Sequence, residues 1–321
     1  MKVLRSLMTV ATLVVATTTA HAQTWPNGPL RMIVPFPAAG QTDLLGRAFA
    51  DALKNATGVP VVVENKTGAG GNVGAAVAAQ AAGDGQTLLV VTPGILSINR
   101  WLYASTGFDP DKDFKMVGIV GLMPSGVAVN PRLNISDLKQ LVDLMKKRSD
   151  VRTASPGVGT TGHLMSELLK TDAGVKSIHV PYRGNGPALQ ALMAGEVDVL
   201  IDGIPAMIAQ QAKGAIKLVA VTSSERVKQL PDVPTAVEQG FGAITNEAWY
   251  GIVVPASTPD DLIARIYASV QTAMKDPKLL ERFDTLGIRP QTIDGARMST
   301  IAKEESVRWK EAVRQSGAKL D

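Results

Sequence analysis

The sequence predicts an α/β protein built from two similar units, on three observations. Short runs of branched apolar residues recur along the chain, each the length of a buried strand, and helical stripes alternate with them. Twice, at residues 30–43 and 151–163, such a strand enters a loop of small residues that opens directly into a helix. The composition is rich in Ala, Val and Gly with 4% aromatics, which suits helices packed closely on mostly parallel sheets.

The first of these stretches reads LRMIVPFPAAGQTD. Leu30 to Val34 is a strand, and Pro35 and Pro37 end its ladder because neither can donate an N–H. Ala38, Ala39 and Gly40 are small enough to let a ligand approach the backbone. Thr42 and Asp43 read as a helix N-cap, followed by a stripe of Leu44, Leu45, Ala48, Phe49, Ala52 and Leu53. Such a helix end carries free N–H groups and a partial positive charge, so it suits an anion. An ordinary strand-to-helix turn has the same pattern.

Residues 1–22 read as a secretory signal peptide. Lys2 and Arg5 precede an apolar core, Leu7 to Val15, that is too short for a span of roughly 20 residues, and Ala20-His21-Ala22 fits the cleavage pattern. Export to the periplasm is the expectation, with the mature chain starting at Gln23. The chain has no Cys, which removes disulfides, thiolate chemistry and Cys-based zinc sites. Without Lys2 and Arg5, 31 basic residues face 29 acidic ones, too weak an excess for a nucleic-acid protein.

The next strand, Val59 to Glu64, leads through Gly68, Gly70 and Gly71 into a helix from Val73 to about Ala82. Gly68, Gly70 and Gly74 give a GxGxxxG spacing similar to a dinucleotide fingerprint. The following strand, Thr87 to Val91, ends in Thr92-Pro93-Gly94 rather than in the acid a ribose needs, so no cofactor is expected. Close helix–sheet packing explains the glycines, with Gly70 and Gly71 presenting amides to the same crevice as the first loop. Residues 93–115 are looser. Met116 to Val129 reads as one long strand bridging two domains.

The second unit has a helix capped by Ser136 and Asp137, then the strand Val151 to Ala154 and the loop SPGVGTTGH. Thr160 or Thr161 caps the helix that follows and can offer a hydroxyl. His163 in its first turn is either a backbone-bonded helix-start residue or a ligand contact. Strands Ser177 to Pro181, Val197 to Ile201 and Lys217 to Thr222 alternate with helices near 187–194 and 205–211. Arg183 and Asp202 each follow a strand; Arg183 is a carboxylate partner or a solvated loop residue. Trp249 to Val254 is the returning strand. Thr258-Pro259-Asp260-Asp261 and Asp276-Pro277 start helices, and a last helix includes Ile301 to Val313, all read as cover for the first sheet. This divides the chain into residues 23–122 plus 251–321, and 123–250, with hinge strands near 123–129 and 249–254.

Beyond the leader only His163 and His179 remain, so a His-rich metal site is excluded. Either could act as a base on paper, but no GxSxG elbow supports a hydrolase; Ser155 with His163 leaves an exported esterase as the competing class. Two small-residue loops aimed at one crevice suit binding better than chemistry.

The segments IVPFPAAGQTD, VVVENKTGAGGNVGA, GDGQTLL, ASPGVGTTGHL, HVPYRGNGPALQALMAGEVD, LPDVPTAVEQG and WYGIVVPASTP cover nearly the whole mature chain. In order and spacing the chain resembles the extracytoplasmic solute receptors of tripartite tricarboxylate transporters, the Bordetella-uptake-gene (Bug) type. The resemblance implies a two-domain periplasmic-binding-protein fold of type II, a Venus flytrap. It implies a small carboxylate ligand: a di- or tricarboxylate, an acidic amino acid or an aromatic acid. Backbone N–H groups and water from two loops would hold it, carried over here as Phe36, Ala38, Ala39, Gly40, Gln41, Thr42 and Asp43, and as Ser155, Gly159, Thr160, Thr161, Gly162 and His163. Ala39 stands where the family usually has Gly. The implied partners are membrane permease subunits, with a monomeric receptor and no nucleic acid; a receptor feeding a signalling partner is the remaining alternative.

Overall fold

The protein is described by a computed structural model covering residues 25–321. The predicted leader lies outside the described residues.

β1 (Leu30–Val34), α1 (Gln41–Thr57), β2 (Val61–Asn65), α2 (Asn72–Ala79) and β3 (Thr87–Val91) alternate along the first part of the chain. β1 lies between β2 and β3, parallel to both. A π turn at Gly94–Ile98 leads to the short α3 (Asn99–Leu102). β4 (Phe114–Val129) then runs for 16 residues as a single strand. It is followed by α4 (Leu138–Lys147), β5 (Arg152–Ser155), α5 (Thr161–Ala173), β6 (Ile178–Pro181), α6 (Asn185–Ala194), β7 (Val199–Gly203), α7 (Pro205–Ala212) and β8 (Lys217–Val221). The chain returns through β9 (Glu247–Pro255), α8 (Asp260–Ala273), α9 (Pro277–Thr285), β10 (Arg289–Asp294) and α10 (Gly295–Ser316).

β4 belongs to two half-sheets. Its first part pairs with β9 and β10, its last part with β7 and β8, all antiparallel. Partners change between Pro124, opposite Glu247, and Ser125, opposite Gly203. Thr222 Oγ1 pins this junction, accepting the Ser125 N–H at 3.1 Å and donating to the Asn246 carbonyl at 2.6 Å. The architecture is therefore α/β with a mixed sheet. The parallel strands β1–β3 and β5–β7 form the outer parts, and antiparallel strands fill the middle.

Strand direction places the loops. β9 is antiparallel to both β3 and β4, so β1 runs in the direction of β4. β7 is antiparallel to β4 and parallel to β5, so β5 runs the opposite way. The carboxyl ends of β1 and β5 therefore point toward each other, where ligands gather in open α/β sheets.

Each half-sheet is covered on both faces. Phe49, Phe283, Ile252 and Tyr250 lie in one core of the first half, and Trp249, Leu89 and Ile119 in the other. Fully burying a side chain such as Phe49 contributes about 3 kcal/mol. The second half packs Leu164, Ile201 and Val127 on one face and Leu192, Leu200 and Met207 on the other. α10 serves both: Met298 and Ala302 lie in the first half's core, while Trp309, Ala312 and Val313 lie in the second's. This differs from the expectation that the C-terminal helices cover the first sheet alone.

Three local expectations are corrected. α1 is capped by Gly40, because Asp43 falls in the first turn rather than before it. Pro259, not Thr258, precedes α8, and Thr258 is buried with its hydroxyl unpartnered. β10 has no counterpart among the expected strands, since RPQTID is polar and holds a Pro; it is tolerated as an edge strand beside β4.

Candidate functional site

The first loop turns tightly after Val34. Ala39 adopts φ 62°, in the left-handed region, and its N–H donates to Asp43 Oδ2 at 2.8 Å. Asp43 is buried and also holds Arg47 at 2.9 Å and Asn65 at 2.8 Å. Burial pushes its carboxyl up, and the bonds from Arg47, Asn65 and Ala39 more than offset this, so it stays below the usual carboxylate range. Asp43 thus braces the loop from beneath, with bonds to both oxygens. With Gly40 as N-cap and no side-chain cap, the amides of Gln41 and Thr42 have no partner among the described residues.

The second loop repeats the arrangement with a cap. Thr160 Oγ1 donates to the Gly157 carbonyl at 2.8 Å and accepts the His163 N–H at 3.4 Å. The Thr160 hydroxyl is therefore used within the loop, and the Thr161 and Gly162 amides at the start of α5 have no partner among the described residues. A Cβ on Gly162 would collide with the Ile201 carbonyl, and one on Gly159 with Leu102, so both positions require glycine. His163 takes the backbone-bonded role: its Nδ1 accepts the Gly159 N–H at 3.1 Å.

Ser155 is fully buried, and its hydroxyl lies 2.7 Å from His179 Nε2, not beside His163. The Ser155–His163 pair is not formed; the serine is paired with His179 instead, and its full burial makes the hydroxyl a poor nucleophile for an outside substrate. Burial, helped by the Lys170 charge, lowers His163 to about 4. Burial, then the charges of His163 and Lys170, lowers His179 to about 4, with Glu167 opposing. Both rings are neutral at pH 7.

The remaining predicted residues gather around these loops. Gly70 and Gly71 adopt φ 62° and 97°. A side chain there would meet Asn99 and Tyr103, or Phe36 and Ile95, which places this turn against the first loop. Arg183 is exposed and without a hydrogen bond or ion pair among the described residues. It is held beside the second loop, because Tyr182 N–H donates to the Ser155 carbonyl at 3.0 Å and Gly184 N–H to Pro156 at 2.9 Å. Asp202 accepts from Gly203 N–H at 2.7 Å and from Asn185. Burial raises its carboxyl to about 6, against those two bonds.

Several residues at the crevice carry no sign of that place in the sequence. Met123 on β4 is reached by Gln41 from the first loop, and Gln41 also lies beside Gly203 of the second half. Tyr250 on β9 bonds Thr42 and feels the Asp202 charge, and burial raises its phenol. Asn185 tethers Asp202, and Leu102 packs on Gly159. In sequence Met123 and Tyr250 fall within the two expected hinge strands, but a lone strand gives no sign of which loop residues reach it.

A groove of about 290 Å³ straddles the junction of β4 and β9, lined by Pro124, Glu247, Arg226, Asp284 and Arg289 among others. None of the predicted contact residues lines it, and its two arginines are already paired, Arg226 with Glu238 and Arg289 with Glu247. The amides without a partner among the described residues lie elsewhere, at the starts of α1 and α5. Among the described residues no group of three or more His, Asp or Glu is placed to hold a metal ion, and no helix is long and apolar enough to cross a membrane.

Two half-sheets sharing a strand, with helix N-termini opening at their facing ends, define a two-lobed solute-binding protein. The chain matches the family described as "Tripartite tricarboxylate transporter family receptor" over residues 45–318, and it belongs to that family. It is 33% identical to Protein BugT of Bordetella pertussis over 301 residues, covering 93% of this chain and 92% of that one. Among solved structures, R. palustris Rpa4515 with adipate is 30% identical at a TM-score of 0.81, covering 92% of this chain and 100% of that one. MatC of Rhodopseudomonas palustris with bound malate is 31% identical at a TM-score of 0.77, covering 90% and 100%.

Proposed function

We propose that this protein captures a small carboxylate between the N-termini of α1 and α5. The observation that carries this reading is the set of amides at Gln41, Thr42, Thr161 and Gly162 that have no partner among the described residues, on helices that start from facing strand ends. Backbone donors and helix dipoles favour an anion without a fixed charge in the loop. Adipate and malate in two relatives of similar fold support a dicarboxylate, with tricarboxylates, acidic amino acids and aromatic acids in the wider class. Phe36, Ala38, Ala39, Gly40, Gly70 and Gly71 shape the first wall, and Arg183 and Asp202 border the second.

Capture rather than catalysis is the role. The switch of strand partners at Pro124–Ser125, next to Asn246–Glu247, supports a hinge there, slightly before the predicted 249–254. Closure would bury the anion, where each N–H contact strengthens. The closed monomer would then dock on the permease of a tripartite transporter from the periplasmic side.

Proline at the first helical position removes one N–H while leaving the helix intact. Thr161 and Gln41 hold that position in α5 and α1. Thr161→Pro and Gln41→Pro should each weaken carboxylate binding by roughly 10-fold or more in calorimetry, since a hydrogen bond to a charged group contributes about 1.5–3 kcal/mol. The melting temperature should hardly move. Unchanged affinity in both variants would remove these amides from the site.

A further inference from the structure

Behind the second loop lies a packed polar cluster that ligand contact itself does not use. The rings of His163 and His179 stack with centroids 3.8 Å apart and planes 15° apart. His163 Nδ1 accepts the Gly159 N–H at 3.1 Å, so its ring proton sits on Nε2, 3.6 Å from Glu167 Oε1. Glu167 is held in turn by Lys170 at 2.6 Å. The His179 ring lies against Ser155 Oγ, and that hydroxyl also accepts the Gly157 N–H at 3.2 Å. Through these contacts the amides of Gly157 and Gly159 are taken up, while those of Thr161 and Gly162 are left.

We propose that the stacked pair His163–His179 is a positioning device for the second loop: it selects which backbone amides remain free to receive an anion. This rests on the binding function proposed above. The pair works only when neutral, because a second proton on His163 would go to Nδ1 and turn the acceptor for Gly159 into a donor facing a donor. The charged groups facing the pair are Glu167 and Lys170 on α5. β5 adds no charge, only the hydroxyls of Ser155 and of Thr153, the residue that pairs with His179 across the strands, and α3 packs apolar Leu102 against Gly159. With both rings lowered to about 4, the arrangement holds at neutral pH and is lost as pH falls through that value. Acid should therefore open the loop independently of any titration of the ligand.

The test compares the full chain with its His163→Leu, His163→Asn and His179→Leu variants. The backbone amide resonances of Gly159, Thr161 and Gly162 are followed from pH 7 to pH 3.5, and malate and adipate are titrated at each pH. In the wild type the three amides should titrate together with the rings. His163→Leu should displace the Thr161 and Gly162 resonances at pH 7 and weaken carboxylate binding tenfold or more. His163→Asn keeps an acceptor near the Nδ1 position, so it should recover most of that loss while abolishing the acid step. Unmoved Thr161 and Gly162 resonances in folded His163→Leu would overturn the proposal, as would equal losses in the Leu and Asn variants, which mark packing alone. If His163→Leu does not fold, His179→Leu and the wild-type acid titration decide between the same two outcomes. If neither malate nor adipate binds the wild type, the binding function fails for those probes, and the amide shifts still decide the positioning role.

Discussion

Ala39 holds a backbone conformation that glycine adopts at less cost. At φ 62° an L-residue meets a penalty of about 1–2 kcal/mol, part of which glycine returns through its freer unfolded chain. Ala39→Gly should therefore raise stability by about 0.5–1 kcal/mol in denaturant unfolding, and destabilisation would show that the methyl makes contacts outweighing the strain. The strained residue is legible in part, because it stands where the resembled family usually carries Gly. Asp43 is legible as a polar residue at a helix start. Its actual work, bracing Ala39, Arg47 and Asn65, is not, because Asn65 comes from β2 and pairing across strands is not written in either segment. His179 shows the same limit: the sequence presents it as an isolated histidine, and only the fold stacks it on His163.

At the scale of elements, a half-buried carboxyl links α10 to the crossing strand β9. Glu305 accepts the Trp249 indole N–H at 2.9 Å. Burial raises Glu305 to about 7, opposed by the Trp249 bond and by the Arg308 charge. Its folded value lies above its unfolded one, so the stability it confers is complete below about pH 4.5 and declines as pH rises through 7. Glu305→Gln keeps the acceptor and cannot ionise. The variant should match the wild type at pH 4 and gain about 1–3 kcal/mol at pH 8. An equal gain at both pH values would place the effect elsewhere. The strand-loop-helix units themselves are readable from periodicity, small residues and prolines, and β1, β3 and the long β4 fall close to their expected spans. Caps are less readable: Gly40 offers no side-chain signal, whereas Asp137, Asp276 and Asp294 cap through their own carboxylates.

In the whole molecule, the function depends on two halves meeting over shared strands. Hydrophobic pattern reveals the alternation of strands and helices, and strand direction then turns it into two facing loops. It does not reveal that α10 starts in one core and ends in the other, because its apolar stripe reads alike whichever half it covers. Nor does it reveal Gln41, Met123, Tyr250 and Gly203 converging at the junction, since they are far apart in the chain. Everything proposed for this protein rests on paired helix N-termini selecting a negative charge. A thermal-shift comparison checks that selection on protein unfolded and refolded to strip bound ligand, using mono-, di- and tricarboxylates beside their uncharged amides. A ligand at 100 times its Kd that binds only the folded state adds about 2.7 kcal/mol, a shift of a few degrees for a chain of this size. At least one carboxylate should give such a shift, and its amide should give none. An equal shift from the amide, or a flat response from every acid in a well-folded protein, would contradict charge selection by the two helix ends.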